Sequence, residues 1–182
     1  MRTYDFTFIA SGIDPDSQDI ADRFFEAGCD DATIAFMRGR FAVCFAREAD
    51  SYAHAVVSGY RDVLRAGASI ERFEPDFLVN ANEIAERSGL TRAAISLYAK
   101  GARGEEFPAP YAKVTSDSPL WDWVAVSGWL HKRGKLPIEL VVNARIDRAV
   151  NRFVTSSGAK TTDKWFHGQL FKSVIQHQAA VA

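Results

Sequence analysis

Apolar residues in the first 76 positions alternate between spacings typical of strands and spacings typical of helices. Tyr4, Phe6 and Phe8 recur at every second position, which predicts a strand with one buried face. The same reasoning predicts further strands at 33–37, 41–46 and 70–73, and helices at 16–27 and 51–66. The order βαββαβ is typical of the ferredoxin-like arrangement, and a different α+β sandwich is the alternative.

The stretch Glu74, Pro75 and Asp76 marks a predicted boundary, because proline resists continuing either a helix or a strand. We therefore expect an α+β chain of three segments: an acidic ferredoxin-like domain at 1–76, a winged helix-turn-helix domain at 77–136, and C-terminal helices at 137–182. Within the last segment the pattern predicts a helix at 137–154, a linker at 156–158 and another helix at 162–177.

Residues 80–101 have the pattern of two helices joined by a tight turn. Asn82 is the predicted cap of the first helix and Thr91 that of the second. Gly89 between them suits a left-handed backbone conformation. One arc of the second helix is predicted to be buried: Ala94, Ile95, Leu97 and Tyr98. The opposite arc is predicted to face outward: Arg92, Ala93, Ser96, Ala99 and Lys100.

This outward arc is narrow and carries cations, a hydroxyl and small residues, so it can enter a DNA major groove. Arg92, near the start of the helix, is placed for a bidentate contact to guanine, and Ser96 can contact a base edge or a phosphate. We expect Lys100 to neutralise a phosphate. An ordinary helical hairpin with a solvated outer face would show a similar pattern and is the alternative.

Residues 101–133 predict an extended arm, a hairpin and a closing helix. Pro108 and Pro110 stiffen the arm, and 111–115 is predicted to pair with 120–123 as a wing. The tryptophans of WDWVAVSGWL are predicted to anchor the wing and the closing helix in the core.

The order of helix-turn-helix, FPAP, short hairpin and WDWVAVSGWL resembles the winged-helix domains of the MerR superfamily, most closely the AlpA-like phage regulators and excisionases. The resemblance covers about 55 of the 182 residues. It implies a helix in the major groove and a wing region at the DNA backbone or minor groove. With the outward arc, it predicts these DNA-binding residues: Thr91, Arg92, Ala93, Ser96, Lys100, Arg103 and Lys113.

The chain departs from that family in two respects. AlpA-like proteins are usually little more than the DNA reader, whereas an acidic segment precedes the reader here. MerR activators have a long C-terminal dimer helix and often ligand-binding cysteines, whereas here the predicted helix is short and the cysteines lie elsewhere. The resemblance therefore does not imply metal or thiol sensing.

Charge is distributed unevenly along a chain whose net charge is −1. Residues 1–78 hold 8 Lys/Arg and 14 Asp/Glu, residues 79–136 hold 8 and 6, and residues 137–182 hold 6 and 3. A polyanion is therefore expected to meet the later part of the chain, unless this uneven placement of surface charge is chance.

Composition narrows the remaining possibilities. The 47% hydrophobic content is ample for a packed core. Cys29 and Cys44 lack metal-ligand spacing, and without a signal-peptide pattern or an apolar stretch of bilayer length we expect a cytoplasmic protein. Because no phosphate loop, nucleophile elbow or Cys/His dyad is visible, we expect no enzyme activity, no cofactor and no metal.

These patterns together predict a transcriptional regulator that binds double-stranded DNA sequence-specifically as a homodimer. One alternative is a protein-interaction module, such as an antitoxin or phage-defence partner, whose acidic first domain covers a basic protein surface. Another is a ligand-gated regulator. The first sheet, the helix at 137–154 and the tail are all candidate dimer surfaces.

Overall fold

A computed structural model of the protein describes residues 1–157. These residues form an α+β fold with a four-stranded antiparallel sheet and six helices. They divide into two compact units, the first made of Met1–Pro75 with residues 149–157 and the second of Asp76–Arg148. The sequence-predicted segments differ from these units, because the last helix contributes residues to both. The predicted helix at 162–177 lies outside the described residues.

The first unit contains a βαββαβ succession. Its elements are β1 (Arg2–Ser11), α1 (Ile20–Glu26), β2 (Ala32–Met37), β3 (Arg40–Ala49), α2 (Tyr52–Arg65) and β4 (Ser69–Glu74). The strands are ordered β2-β3-β1-β4, and each neighbouring pair is antiparallel. Each predicted strand is therefore present, and β2, β4 and β3 exceed their predicted ranges by one, two and four residues.

Alternating apolar residues build the core of this unit. Phe6 and Phe8 are buried, as their spacing predicts, and they lie opposite Phe45 and Val43 of β3. The helix α2 approaches this face closely at Gly59, where an added Cβ would come within 2.9 Å of the Phe6 ring. A side chain at this position would push the helix away from the sheet.

The first helix is shorter than predicted, because it begins at Ile20 rather than at residue 16. The Asp16 N–H donates to the Asp14 carboxylate, and the Ser17 N–H donates to the Asp14 carbonyl. Short polar side chains of this kind offer the backbone an alternative to the helix. The predicted start at residue 16 is therefore wrong.

The second unit is mainly helical. Its elements are β5 (Leu78–Val79), α3 (Ala81–Ser88), α4 (Arg92–Ala99), β6 (Trp121–Asp122), α5 (Trp123–Lys132) and the first part of α6 (Ile138–Ser157). Its core has fully buried apolar side chains from five of these elements: Val79, Ile84, Ile95, Val126, Leu130 and Ala144. None of the helices within residues 1–157 is both long enough and apolar enough to cross a membrane.

The predicted wing pairing is wrong in part. The backbone bonds between residues 111–115 and 120–123 all involve Leu120, which forms a bridge with Ala112 and accepts the Tyr111 N–H at 2.7 Å. The strand Trp121–Asp122 pairs instead with Leu78–Val79. Trp121 explains this difference, because it is only 4% exposed and its indole N–H donates to the Pro108 carbonyl at 3.1 Å. A strand that buries this side chain belongs to the core of the unit rather than to a projecting hairpin.

The last described helix, α6, continues through Ser157, so residues 156 and 157 do not begin a linker as predicted. Its Asn151 side chain is buried, and the amide oxygen accepts the Phe73 N–H at 3.2 Å. Because β4 is an end strand of the sheet, this bond satisfies a backbone group that faces away from β1.

Candidate nucleic-acid interface

The helices α3 and α4 are separated by three residues, Gly89, Leu90 and Thr91. Gly89 has a φ of 69°, which a glycine adopts without steric cost, as the sequence predicts. The Thr91 hydroxyl accepts the Ala94 N–H at 3.2 Å and thereby caps α4. The start of α4 is thus fixed by a specific side-chain bond.

The cap of α3 is Asn80 rather than the predicted Asn82. The Asn80 side chain accepts the N–H groups of Asn82 and Glu83 at 2.8 and 3.1 Å, and the Glu83 carboxylate accepts the Asn80 N–H at 2.7 Å. This reciprocal arrangement is a capping box. The signal was present in the sequence, since an asparagine followed three residues later by a glutamate marks such a start.

One side of α4 is buried, and it is narrower than predicted. Ile95 and Tyr98 are 0% and 6% exposed, whereas Leu97 is 42% exposed, so its predicted burial is wrong. At about 100° per residue, Leu97 lies roughly 130° from the middle of the arc between Ile95 and Tyr98. The outward face of α4 therefore includes a large apolar side chain.

The predicted DNA-contacting residues of α4 lie mostly on this outward face. Arg92, Ala93 and Lys100 are exposed, and Ser96 is half-buried. Thr91 is exposed as well, although its hydroxyl is already used for capping. The start and the end of the helix thus present two exposed cations, while Ile95 and Tyr98 are buried.

Arg103 is exposed in the loop that follows α4. Its N–H donates to the Leu97 carbonyl at 3.2 Å, and its guanidinium carbon lies 5.9 Å from the centre of the Tyr98 ring. The same loop is held at Glu105, whose carbonyl accepts the Trp129 indole N–H at 3.0 Å. These contacts fix the backbone beside the end of α4.

Lys113 lies in a projecting loop, 112–120, which we call the wing loop. It is closed by the Ala112–Leu120 bridge and contains a turn in which the Ser116 N–H donates to the Lys113 carbonyl at 3.0 Å. Tyr111 and Val114, at 62% and 64% exposed, are also large solvent-facing side chains in this region. The wing loop therefore offers a cation together with apolar surface.

Aromatic rings connect this region to the core. Tyr98 contacts Phe107 and Trp129 at ring-centre distances of 6.0 and 5.0 Å, and Phe107 also contacts Trp121 at 6.4 Å. Trp121, Trp123 and Trp129 are all at most 7% exposed, so their predicted role as core anchors is confirmed. The exposed side chains of α4 accordingly stand next to a packed aromatic cluster.

The charge of this region is only slightly positive. Residues 91–118 contain four cations (Arg92, Lys100, Arg103, Lys113) and three carboxylates (Glu105, Glu106, Asp117), all of them exposed. Two further arginines of this unit have partners within it. Arg148 donates to the Asp122 carboxylate at 2.8 Å, and Arg87 to the Asp76 carbonyl at 2.8 Å.

Other chemistry has less support in the described residues. Within residues 1–157, no group of three or more His, Cys, Asp or Glu side chains is arranged to hold a metal ion.

Comparisons with protein-family models, with curated proteins and with solved structures find no match to this chain. The resemblance to the MerR superfamily thus remains an interpretation of the sequence.

Proposed function

We propose that this protein binds double-stranded DNA sequence-specifically through a winged helix-turn-helix formed by α3, α4 and the wing loop. The observation that carries the proposal is the division of α4: Ile95 and Tyr98 are buried, while Arg92, Lys100 and the apolar Leu97 are exposed. A helix that is anchored on one side and presents cations and apolar contacts on its exposed side suits the major groove.

Four exposed residues of α4 and its C-terminal cap have assigned contacts in this proposal. Arg92 lies in the first turn of α4, and the N-terminal residues of recognition helices are those that contact the base edges. The Arg92 guanidinium donates to guanine O6 and N7. Ala93 and Leu97 supply apolar contact to thymine methyl groups. Lys100, at the far end, neutralises a phosphate.

Arg103 and Lys113 contribute positive charge from the loop and the wing loop, at the DNA backbone or minor groove. Together with Arg92 and Lys100, they bring four cations per protomer to the DNA. Because Arg92 contacts a base, three of these cations neutralise phosphates, which predicts that log affinity falls with log salt at a slope of about −3 per protomer.

We propose in addition that the first unit is a ferredoxin-like domain and that the chain is a cytoplasmic transcription regulator acting as a homodimer. The strand order β2-β3-β1-β4 with antiparallel neighbours supports the ferredoxin-like assignment. A dimer would place two copies of α4 about one helical turn of DNA apart on a near-palindromic site.

The test is selection of bound sequences from a random duplex library, followed by binding measurements on the selected site. Arg92→Ala should lose about 1–3 kcal/mol on that site and relax one base position, with little change on random duplex. Lys132→Ala is the matched control, since it removes an exposed cation outside the proposed interface. If Arg92→Ala matched the wild type on both duplexes, base reading by Arg92 would be excluded.

A further inference from the structure

The strand β2 (Ala32–Met37) lies at one end of the sheet, and within residues 1–157 no strand pairs with its outer edge. Its sequence, ATIAFM, contains neither a charged residue nor a proline. Phe36 and Met37 are 50% and 55% exposed. An edge of this kind offers its backbone groups and its apolar side chains to another strand.

The opposite edge of the sheet, formed by β4, is protected against pairing with another strand, whereas the edge formed by β2 is not. The register between β1 and β4 shifts at a bulge, and β4 carries the charged residues Glu71, Arg72 and Glu74. The Asn151 side chain accepts the outward N–H of Phe73. Bulges, edge charges and covering groups are the usual means by which proteins prevent edge pairing.

Hydrogen bonding between β2 and β3 identifies which backbone groups of β2 point outward. The Ala46 N–H donates to the Asp31 carbonyl at 3.0 Å, so residue 31 bonds toward β3. Because bonding alternates along an antiparallel strand, residues 33, 35 and 37 also bond toward β3. The backbone N–H and C=O groups of Ile34 and Phe36 therefore point to the outer edge.

We infer that a second copy of β2 occupies this edge, paired antiparallel about a two-fold axis at Ile34, so that two sheets join into one. Hydrogen bonds between the two strands can form only where residues whose backbone N–H and C=O groups point to the outer edge lie opposite each other. The Ile34 residues of the two copies then exchange N–H···O=C bonds, and the Phe36 N–H of each copy donates to the Ala32 carbonyl of the other. The Ala32 N–H is already bonded to the Cys29 carbonyl at 3.1 Å.

Side-chain size and charge both favour this register. The large, half-exposed Phe36 lies opposite the small Ala32 of the second copy, on the face where Ile34 meets its counterpart. Asp30 precedes the strand and Arg38 follows it, and both are exposed. Antiparallel pairing about Ile34 sets Asp30 of each copy opposite Arg38 of the other, whereas parallel pairing would align like charges.

A competing dimer surface is less available. The helix predicted at 137–154 is also a candidate dimer surface, but the apolar residues Val142 and Ile146 of α6 are only 8% and 2% exposed within the chain. The inference goes beyond the proposed function, which names no dimer surface, and it requires no DNA. Its failure would leave the proposed reading by Arg92 untouched.

The first experiment measures the dimer dissociation constant of the full chain by sedimentation equilibrium without DNA. Arg38→Asp sets Asp opposite Asp30, and Asp30→Lys sets Lys opposite Arg38, so each should raise the dissociation constant about tenfold. The double variant restores opposite charges and should regain most of the affinity. Arg38 has a φ of 53°, which aspartate adopts readily, so Arg38→Asp should preserve the fold.

The second experiment tests the register by oxidative cross-linking in a Cys44→Ser background. Ile34→Cys should form an intermolecular disulfide, because directly opposed residues have Cα atoms about 5.5 Å apart. Ala35→Cys is the matched control, since its two copies would lie diagonally, about 7–8 Å apart. Far-UV circular dichroism checks the fold of both variants.

Three results would overturn the inference. The first is a full chain that stays monomeric at high micromolar concentration. The second is a dimer whose dissociation constant does not change when the charges at Asp30 and Arg38 are altered. The third is a monomer in which the Ile34 and Phe36 amides are protected from hydrogen exchange, because it would assign the edge to residues 158–182 of the same chain.

Discussion

Arg47 and Asp62 form an ion pair in the first unit, in which Nη1 of Arg47 donates to Oδ2 of Asp62 at 2.6 Å. The remaining N–H groups of the guanidinium also have acceptors: the Asp31 carboxylate takes two bonds at 2.8 Å, the Gly28 carbonyl one at 2.6 Å, and the Ser58 hydroxyl one at 3.0 Å. The Arg47 side chain is only 9% exposed. One guanidinium therefore connects β3, α2 and the segment before β2.

Arg47→Met should destabilise the protein by about 3–5 kcal/mol, because it removes the cation of Asp31 and the closer of the two cations of Asp62. The other cation of Asp62, Arg65, lies 3.3 Å away and is itself half-exposed. Arg40→Ala is the control, since Arg40 lies on the same strand but its pair with Glu71 is exposed. That change should cost less than about 1 kcal/mol. Urea unfolding measures both, and similar small costs for the two variants would contradict the assignment.

The two cysteines should differ in reactivity. Burial, and then the negative charge of Asp62, raise the pKa of the Cys29 thiol to about 12, whereas Cys44 is exposed. At pH 8 a thiol reagent should therefore modify Cys44 in the native protein and Cys29 only after denaturation. Rapid modification of both thiols in the folded protein would show that Cys29 is accessible.

The same raised pKa has a consequence for alkaline stability. In the unfolded chain the Cys29 thiol ionises from its ordinary pKa of 9.0, while in the folded protein it stays neutral up to about 12. The unfolded state alone gains from ionisation between these values, so the free energy of unfolding should fall as pH rises through this range. Cys29→Ala should remove that part of the decline, and Cys44→Ser should not.

The caps of the two proposed DNA-reading helices can be tested directly. Asn80→Ala and Thr91→Ala should each lower the free energy of unfolding by about 0.5–2 kcal/mol, because each removes acceptors for helix N–H groups. Asn82→Ala should have almost no effect, because Asn82 is exposed and only its backbone is used in the cap. Thermal unfolding of the three variants is sufficient, and a larger loss at Asn82 would reverse the assignment.

Truncation of Ile95 and truncation of Leu97 to alanine should have very different effects on stability. Ile95→Ala should cost about 2–5 kcal/mol of stability, since Ile95 is fully buried, while Leu97→Ala should change stability by no more than about 0.5 kcal/mol. If Leu97 contacts thymine methyl groups, the wild type should prefer a thymine-containing site to its uracil counterpart more strongly than Leu97→Ala does. Equal preference in both proteins would remove Leu97 from base reading.

Local patterns predicted the strands of the first unit well, because the period of two is a local consequence of burying one face. The role of Arg47 was not predicted. Glu48 follows Arg47 in the sequence, but successive residues of a strand point to opposite faces. Its actual partners, Asp31 and Asp62, come from other elements that only the tertiary fold brings together.

The candidate interface shows the same division. The turn at Gly89 and the cap at Thr91 were predicted, since both depend on residues within one or two turns of helix. The pairing of Leu78–Val79 with Trp121–Asp122 was not, because strands of two residues have no periodicity to detect. The exposure of Leu97 was also missed, since an apolar residue at the border of a buried arc gives an ambiguous pattern.

The Phe73 N–H donates a hydrogen bond to the Asn151 side-chain oxygen, so the first unit is not a continuous stretch of sequence. During synthesis, Met1–Pro75 leaves the ribosome well before residue 151 is made. The outer edge of β4 therefore lacks its hydrogen bond to Asn151 while the intervening unit is synthesised. For the same reason, a fragment ending at Pro75 would expose both ends of the sheet, and we expect it to associate more readily than the full chain does. The first part of the chain to be synthesised therefore reaches its final hydrogen bonding only when Asn151, near the end of the described residues, has been made.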